Sequence, residues 1–309
     1  MRVPIRSWIV LVCAAAVLVV ASTAAAQIED QVSEYAEANG EGYLQPLADA
    51  IGADLNASIW RSAYVPSNGF YIALELQMMA TFFSDDQRTF TYTPGPGDNT
   101  PLPGADLEVP TLVGDLQGGA IPTDMPPEIA FVPGFDINSF GLAAPQLRVG
   151  AFMGTEGVIR FFTADLSDVE IGNISLIGVG ARHSISQYMG PVFPVDISAG
   201  LFWQNLKLGD DLVDGTAMTY GVQVGKRFPA GFASLEPYAC LAFNSFEMDV
   251  SYETDEDETV DIAMETDGGV QVTLGLNAQM GFMDLNGEYM FGDQSGFALG
   301  VGFIFSPIP

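Results

Sequence analysis

The stretch GVQVTLGLNAQMGFMDLNGEYMFGDQSGFALGVGFIF, residues 269–305, decides the fold. In an extended chain Val270, Val272, Leu274, Leu276, Ala278 and Met280 share one face, while Gln271, Thr273, Gly275, Asn277 and Gln279 share the other. Met283, Leu285, Tyr289 and Phe291 then oppose Asp284, Asn286 and Glu288. Phe297, Leu299, Val301, Phe303 and Phe305 oppose Gly296, Ala298, Gly300 and Gly302. A period of two is the strand period. A soluble sandwich alternates as well, but its solvent face is usually charged, and here that face carries Gly, Asn, Gln and Thr. In a membrane barrel the apolar face meets lipid and the small polar face fills the lumen, with aromatic residues at both interfaces. The expected fold is therefore all-β: a transmembrane, antiparallel, up-and-down β-barrel with a short N-terminal helical segment.

Working back from this stretch, strands are expected at Phe70–Phe82, Gln146–Met153, Val158–Thr163, Asn173–Tyr188, Val195–Leu208, Thr216–Arg227, Ser234–Tyr252, Val260–Met280, Met283–Phe291 and Gly296–Phe305. Ten is an even number, which returns both ends to one side. Alternate connections are then short (GTEG, MGPVFP, FPAG and a tight turn near Gly281). The others (Phe83–Pro145, Asp165–Gly172, GDDLVD, TDEDET and GDQSG) are longer or more acidic. Short turns inside and longer loops outside are the outer-membrane pattern. The count rises to twelve or fourteen if Thr89–Thr93 pairs, or if the two longest runs divide. Ser234–Tyr252 and Val260–Met280 exceed the ~10 residues needed to cross, so their outer halves are expected to form a hairpin above the membrane. A change of apolar face around Asn244–Phe246 reads as a bulge.

The segment Phe83–Pro145 holds ten of the nineteen prolines, eight glycines, nine acids and one base, Arg88. Regular strands do not tolerate that proline density. It reads either as a large extracellular loop or as a constriction folded into the lumen.

Composition closes off other classes. The chain has 309 residues, with 39 Asp+Glu against 10 Lys+Arg, one His and two Cys. Phosphate backbones are repelled by such a surface, so nucleic-acid binding is excluded. A hydrophobic share of 48% is too high for a solvated acidic tail. Two cysteines build neither a zinc cluster nor a disulfide framework, and no cofactor is implied.

The first 26 residues have the form of a signal peptide: Arg2 and Arg6, an apolar run from Trp8 to Val20, and an A-x-A exit at Ala24 and Ala26. Cleavage before Gln27 is expected, leaving Cys240 as the remaining cysteine. Cys13 follows Val12 inside the apolar run and does not suit a lipid anchor. Residues 27–69 form an N-terminal helical segment, in which Leu44, Leu47, Ala48 and Ile51 make a helical stripe. Gly52 is expected to cap that helix and Pro46 to fall in its first turn. This segment is expected to dock beneath or inside the lumen as a plug on the periplasmic side, with residues 70–309 forming the barrel.

GVGARHSISQYMGPVFPVDISAG (Gly178–Gly200), with YLQPLADAIGADLN (Tyr43–Asn56) and EPYACLAFNSFEMDVSY (Glu236–Tyr252), resembles an uncharacterised family of Gram-negative outer-membrane β-barrel proteins, defined as a domain of unknown function. The resemblance implies location and fold, and it brings no catalytic residues.

Glu75, Arg148, Arg182, Arg227, Glu236, Asp284 and Glu288 fall on or near small polar faces and are the candidate lumen residues. Charges of both signs line a selective pore or pair to seal a narrow barrel. His183 and Ser184 are adjacent on one strand and point to opposite faces, so they form no catalytic pair. Asp255 and Asp257 in TDEDET are weak calcium candidates, without the glycine and spacing of a calcium loop. The sequence thus reads as a channel or uptake pore for small or hydrophobic solutes with a cation preference, not an enzyme. The alternative is a closed structural or surface-interaction barrel with acidic extracellular loops, and behind it a membrane hydrolase in which a neighbouring strand supplies the partner of His183. The expected partners of the chain are outer-membrane lipid and, through the C-terminal strand, the barrel-assembly machinery.

Overall fold

A computed structural model describes residues 37–67, 69–93, 107–115, 132–166, 172–190, 193–209, 212–253, 259–266 and 269–305. The expected signal peptide and the residues Asp255 and Asp257 lie outside that set. Helix α1 spans Glu37–Leu55. Strands follow in the order β1 (Tyr71–Phe82), β2 (Thr89–Tyr92), β3 (Leu107–Pro110), β4 (Ser139–Phe152), β5 (Thr155–Leu166), β6 (Gly172–Ser184), β7 (Asp196–Leu208) and β8 (Val213–Gly225). The last six are β9 (Phe228–Ala230), β10 (Ala233–Glu253), β11 (Thr259–Thr266), β12 (Val270–Met280), β13 (Met283–Phe291) and β14 (Gly296–Phe305).

Ten of these close a barrel by antiparallel pairing between neighbours, β14 against β1 joining the two ends of the chain and β8 against β10 completing the ring. Closure pairs every strand on both sides, with one stretch of open edge where the β4–β5 ladder stops at Gln146; pairing of this kind is the condition for a strand structure in hydrocarbon. Strands β2 and β3 pair only with each other and stand outside the ring, so Thr89–Tyr92 adds nothing to the barrel count. The long run 260–280 divides into β11 and β12, both laid along the same side of β10. Its outer part forms the expected hairpin with Phe246–Glu253.

On its β8 side β10 has no bulge near Asn244; on the other side the register shifts by one residue between the β12 and β11 pairings. Strand β10 pairs with β8 in one unbroken register from Tyr238 to Val250. Inward positions run Glu236, Tyr238, Cys240, Ala242, then Phe246, Met248 and Val250, all buried. Outward positions run Leu235, Leu241 and Phe243, then Ser245, Glu247, Asp249 and Ser251. The parity is constant and the chemistry inverts. Below Phe243 the wall is apolar outside and polar inside. Above it the wall is polar outside and apolar inside, as in a soluble protein. Strand β6 inverts in the same way, with Ile174 and Leu176 inside against Asn173 and Ser175 outside. The apolar outer band on β10, Leu235 to Phe243, has about the nine residues that a tilted strand needs to cross a bilayer. Exposed aromatics mark both rims: Phe82, Phe243, Phe291 and Phe297 on one, Phe152, Phe232, Phe282 and Phe305 on the other.

Strand β4 starts at Ser139, seven residues before the expected Gln146, and carries Pro145 in its interior. Pro145 pairs with Leu76 of β1, whereas the described pairing with β5 begins only at Gln146. A proline is tolerated there because the ladder on its β5 side is already interrupted.

Helix α1 lies inside the barrel, within the half whose interior is apolar. Tyr43, Leu44, Ala48, Ile51 and Leu55 are buried with Phe246, Met248, Val250, Ile262 and Met264 of the β10–β11 hairpin. It starts at Glu37, so Pro46 sits in the helix interior, and it runs on past Gly52. Gly52 does not cap the helix. A Cβ there would sit 2.7 Å from the Phe246 ring, so the glycine is where helix and wall meet. The described parts of the long β1–β4 connection cover the N-terminal end of α1. Leu112 N–H donates to the Tyr43 carbonyl (2.9 Å), Tyr43 Oη to the Pro133 carbonyl (3.0 Å), and Asn39 bonds the Thr93 backbone in both directions. Its described parts thus pack over the helix, and α1 lies at the end opposite the short turns. It is not docked beneath the short-turn end.

The lumen-facing glycines make room for large inward side chains. A Cβ on Gly275 would lie 2.2 Å from the Tyr238 ring. Gly275→Val should therefore destabilise the barrel by roughly 1–3 kcal/mol through overpacking, while Leu274→Val, on the exposed outer face, should leave the thermal midpoint in detergent nearly unchanged. Equal melting of the two variants would contradict this placement of Tyr238.

Candidate functional site: a lumen filled by the chain's own N-terminal segment

After α1 the chain descends through the lumen, and from Asn56 to Ala63 every residue is buried. Such a segment has no strand partners, so its polar backbone must be satisfied by the wall. Three sets of wall side chains do this at successive depths. Uppermost, Arg160 donates Nη1 to the Leu55 carbonyl (2.9 Å) and Nη2 to the Ala57 carbonyl (2.7 Å), while Gln204 also donates to Leu55. These carbonyls end α1, where a cation is electrostatically favoured. Next, Ser58, at a left-handed φ of 52°, donates its N–H to Glu288 (2.8 Å) and its hydroxyl to Gln77 (2.7 Å). Tyr238 Oη donates to the second Glu288 oxygen at 2.5 Å. Nearest the short turns, Glu236 accepts from Ser62 Oγ, Ala63 N–H (both 2.7 Å) and Tyr64 N–H (3.1 Å).

Between the last two levels lies a buried ionic layer. Arg61, from the descending segment, pairs with Asp284 (2.6 Å) and Glu75. Arg148 pairs with Glu75 (2.6 Å), Glu156 (3.1 Å) and Asp284 (3.1 Å), and Arg182 pairs with Glu156 (2.7 Å). Three guanidiniums meet three carboxylates, so the layer is formally neutral. Arg227 completes the inventory, 3.4 Å from Glu236 and stacked over the Tyr64 ring.

Six of the seven candidate lumen residues are buried on the inner surface, while Arg227 lies in the turn after β8 with its side chain 32% exposed. Glu75, Arg148, Arg182 and Asp284 share the ionic layer, Arg227 and Glu236 make a separate pair, and Glu288 holds Ser58. Sequence reading missed Arg61, Glu156 and Arg160. The last two stand at alternate positions of β5 with Val158 and could have been found by the same period. Arg61 lies in a segment with no period at all. A residual void beside Ser58, Trp60 and Glu288 measures about 10 Å³, room for about one water. Near the short turns, His183 Nδ1 lies 2.8 Å from Thr155 Oγ1, and its Nε2 is 2.9 Å from both Tyr188 Oη and Gln187 Nε2. Ser184 faces the other way and is buried.

Toward the opposite end, Asp54 of α1 is fully buried and accepts from Thr81 Oγ1 at 2.7 Å. Burial pushes its carboxyl up to about 8, against the lowering effect of bonds from Thr81 and the Leu142 backbone.

A family model described as a family of unknown function (DUF6588) matches residues 5–305. No curated protein matches the chain. Among solved structures, the β domain of the Bordetella autotransporter BrkA is 9% identical, with 77% of this chain and 100% of that chain covered and a TM-score of 0.33. The outer-membrane protease OmpT from Escherichia coli is 6% identical over 78% of this chain and 95% of that one, with a TM-score of 0.36. A FadL homologue from Pseudomonas aeruginosa is 10% identical over 86% and 96%, with a TM-score of 0.22.

Arg148→Ala should cost about 3–5 kcal/mol, because it strands carboxylates that share this cation in a dry layer; a thermal midpoint like that of the parent protein would contradict the layer. Asp54 gives a pH signature. Its folded value is raised, so its contribution is complete below the unfolded value near 4 and is lost as pH rises through about 8. Stability should therefore fall from pH 4 to pH 8 by an amount that Asp54→Asn removes, as read from thermal unfolding in detergent across that range.

Proposed function

The chain belongs to the family of unknown function DUF6588, which supplies no activity to inherit, and from the geometry we propose a bacterial outer-membrane barrel held shut by its own N-terminal segment. Its working surface is the long-connection end, directed outward as longer loops are in such barrels. The observation that carries this reading is the lumen filling: residues 56–63 are buried and tied to the wall at Arg160, Glu288, Glu75, Asp284 and Glu236. The lumen charges neutralise one another there and do not line an aqueous path. Cation preference then belongs to the acidic outer surface, which concentrates counter-ions. Strand β14, which closes the ring against β1, is the strand this reading assigns to the assembly machinery. No catalytic role is assigned.

One observation favours a second reading, uptake of a hydrophobic solute. The described β4–β5 pairing stops at Gln146, below Pro145, and Phe140, Leu142 and Phe162 lie inside that stretch of wall as part of the apolar core. This is a lateral route by which an apolar molecule could reach the interior from lipid.

Reconstituted in a planar bilayer, the full chain should carry no steady current, and a chain lacking residues 37–65 should conduct ohmically. Steady ohmic conductance by the full chain would overturn the sealed reading. Transfer of an apolar fluorophore into proteoliposomes by the full chain, lost when Pro145→Val restores the ladder, would instead establish the second.

A further inference from the structure

The N-terminal piece of the chain crosses the barrel from one end to the other. At the long-connection end, Asn39 bonds the Thr93 backbone, and Tyr43 is tied to the Leu112 and Pro133 backbones. At the short-turn end, the Gly69 carbonyl accepts from Ala151 N–H (2.6 Å), next to the turn that joins β4 to β5. Between these anchors Gly52 meets Phe246, just past the level of Phe243 where the outer face of β10 turns polar, and residues 56–63 are buried in the lumen. From Gly52 back to Asn39 the helix covers about 20 Å, at ~1.5 Å per residue, so its first turns stand beyond the lipid-facing band. The last strand finishes at the short-turn end, where Phe305 of β14 pairs with Ile72 of β1. Ten strands and one lumen segment make eleven crossings, so the first and last described elements open on opposite ends of the barrel. An even strand count alone would have put both on one side.

Sequence ahead of Glu37 has no route back. The lumen is occupied by α1 and by the strap of residues 56–64 after it, and a chain with unpaired backbone groups does not pass through hydrocarbon. Glu29, Asp30 and Glu34 make that passage costlier still. We propose that the barrel delivers its own N-terminal sequence to the outer face of the membrane and anchors it there, a display function for the polypeptide joined to Glu37. The groups that close the lumen are the anchor. Arg160 holds the carbonyls that end α1, and Glu288 holds Ser58. Glu75 and Asp284 hold Arg61, and Glu236 holds Ser62, Ala63 and Tyr64. A plug against solutes needs no particular direction, whereas this segment is threaded with its N-terminal end at the long connections. Display of this kind rests on the outward assignment of that end, and it adds a cargo to that reading, the chain's own upstream polypeptide.

An epitope inserted after Asp30 of the full chain, expressed in a Gram-negative host, should be bound by antibody on intact cells. Two single-cysteine variants, Glu41→Cys on an exposed position of α1 and Asp86→Cys in the long connection, should react on intact cells with a maleimide too large to pass the outer membrane. Phe232→Cys, in the turn between β9 and β10, should react only after the outer membrane is permeabilised. The parent chain is the blank, because Cys240 is buried. Reaction of Asp86→Cys on intact cells, with the epitope and Glu41→Cys both silent until permeabilisation, would overturn the proposal and leave the outward assignment standing. Silence of Asp86→Cys on intact cells would overturn the outward assignment and the proposal with it. Either the epitope or Glu41→Cys reporting alongside Asp86→Cys supports the proposal, so the test survives if one of the two variants does not assemble.

Discussion

Hydrocarbon solvates apolar groups and nothing else, and that constraint is written into this barrel at one level, the ring of residues around Phe243. A strand that keeps its alternation must present one face to lipid below this level and to water above it. β10 does so by reversing its chemistry and keeping its register: Leu241 and Phe243 give way to Glu247 and Asp249 outside, while Glu236 and Tyr238 give way to Phe246 and Met248 inside. The barrel therefore encloses two interiors. The upper one is an ordinary hydrophobic core that needs an apolar object at its centre, and α1 is that object. The lower one is polar and needs hydrogen-bonding partners, and the irregular segment after Leu55 supplies them. One continuous piece of chain changes from amphipathic helix to polar strap at the depth where the wall changes character.

The same division explains the charge. Eight basic residues follow Arg6; four of them, Arg61, Arg148, Arg160 and Arg182, are spent inside the lumen on carboxylates and on the carbonyls that end α1, and a fifth, Arg227, pairs with Glu236 at its mouth. Among the described residues few cations remain for the exterior, while acids such as Glu41, Asp85, Asp86, Glu247, Asp249 and Asp261 stand there. The acidity of the outer surface is thus partly a consequence of how the lumen is filled. A buried ionic layer of this kind contributes little net stability over an apolar filling, because desolvation offsets attraction. Its effect is positional. Glu75 and Asp284 accept from Arg61 of the strap, and Glu288 and Glu236 accept from its Ser58, Ser62, Ala63 and Tyr64, which fixes the depth at which residues 56–64 sit.

The wall was legible in the sequence to a degree that the filling was not. Ten strands follow from alternation because every spanning residue has a lipid face or a lumen face, and Met283–Phe291 and Gly296–Phe305 agree with the structure at both ends. Where the reading went astray, a tertiary contact had replaced a local rule. Pro145 reads locally as the end of a loop, but it stands in a strand whose pairing with β5 stops beside it. Gly52 reads locally as a cap, but it is small because Phe246 lies against it. The change of apolar face near Asn244 reads locally as a bulge, but β10 keeps its register against β8 there while its outer face turns from apolar to polar. Each is a residue whose local meaning and whose environment differ, and only the environment is decisive.

By itself, then, the sequence determined the architecture: an all-β closed barrel, its strand parity, and the faces on which Glu75, Arg148, Arg182, Glu236, Asp284 and Glu288 stand. Period two is a property of the chain alone and needs no partner to be read. Only the tertiary structure decided that the lumen is filled, by what, and in which direction the filling enters. Pairing Arg61 with Asp284, or Ser58 with Glu288, joins groups more than two hundred residues apart. No local pattern encodes such a contact, because it exists only once the ring has closed and the strap has been drawn into a space too narrow to leave its charges in water.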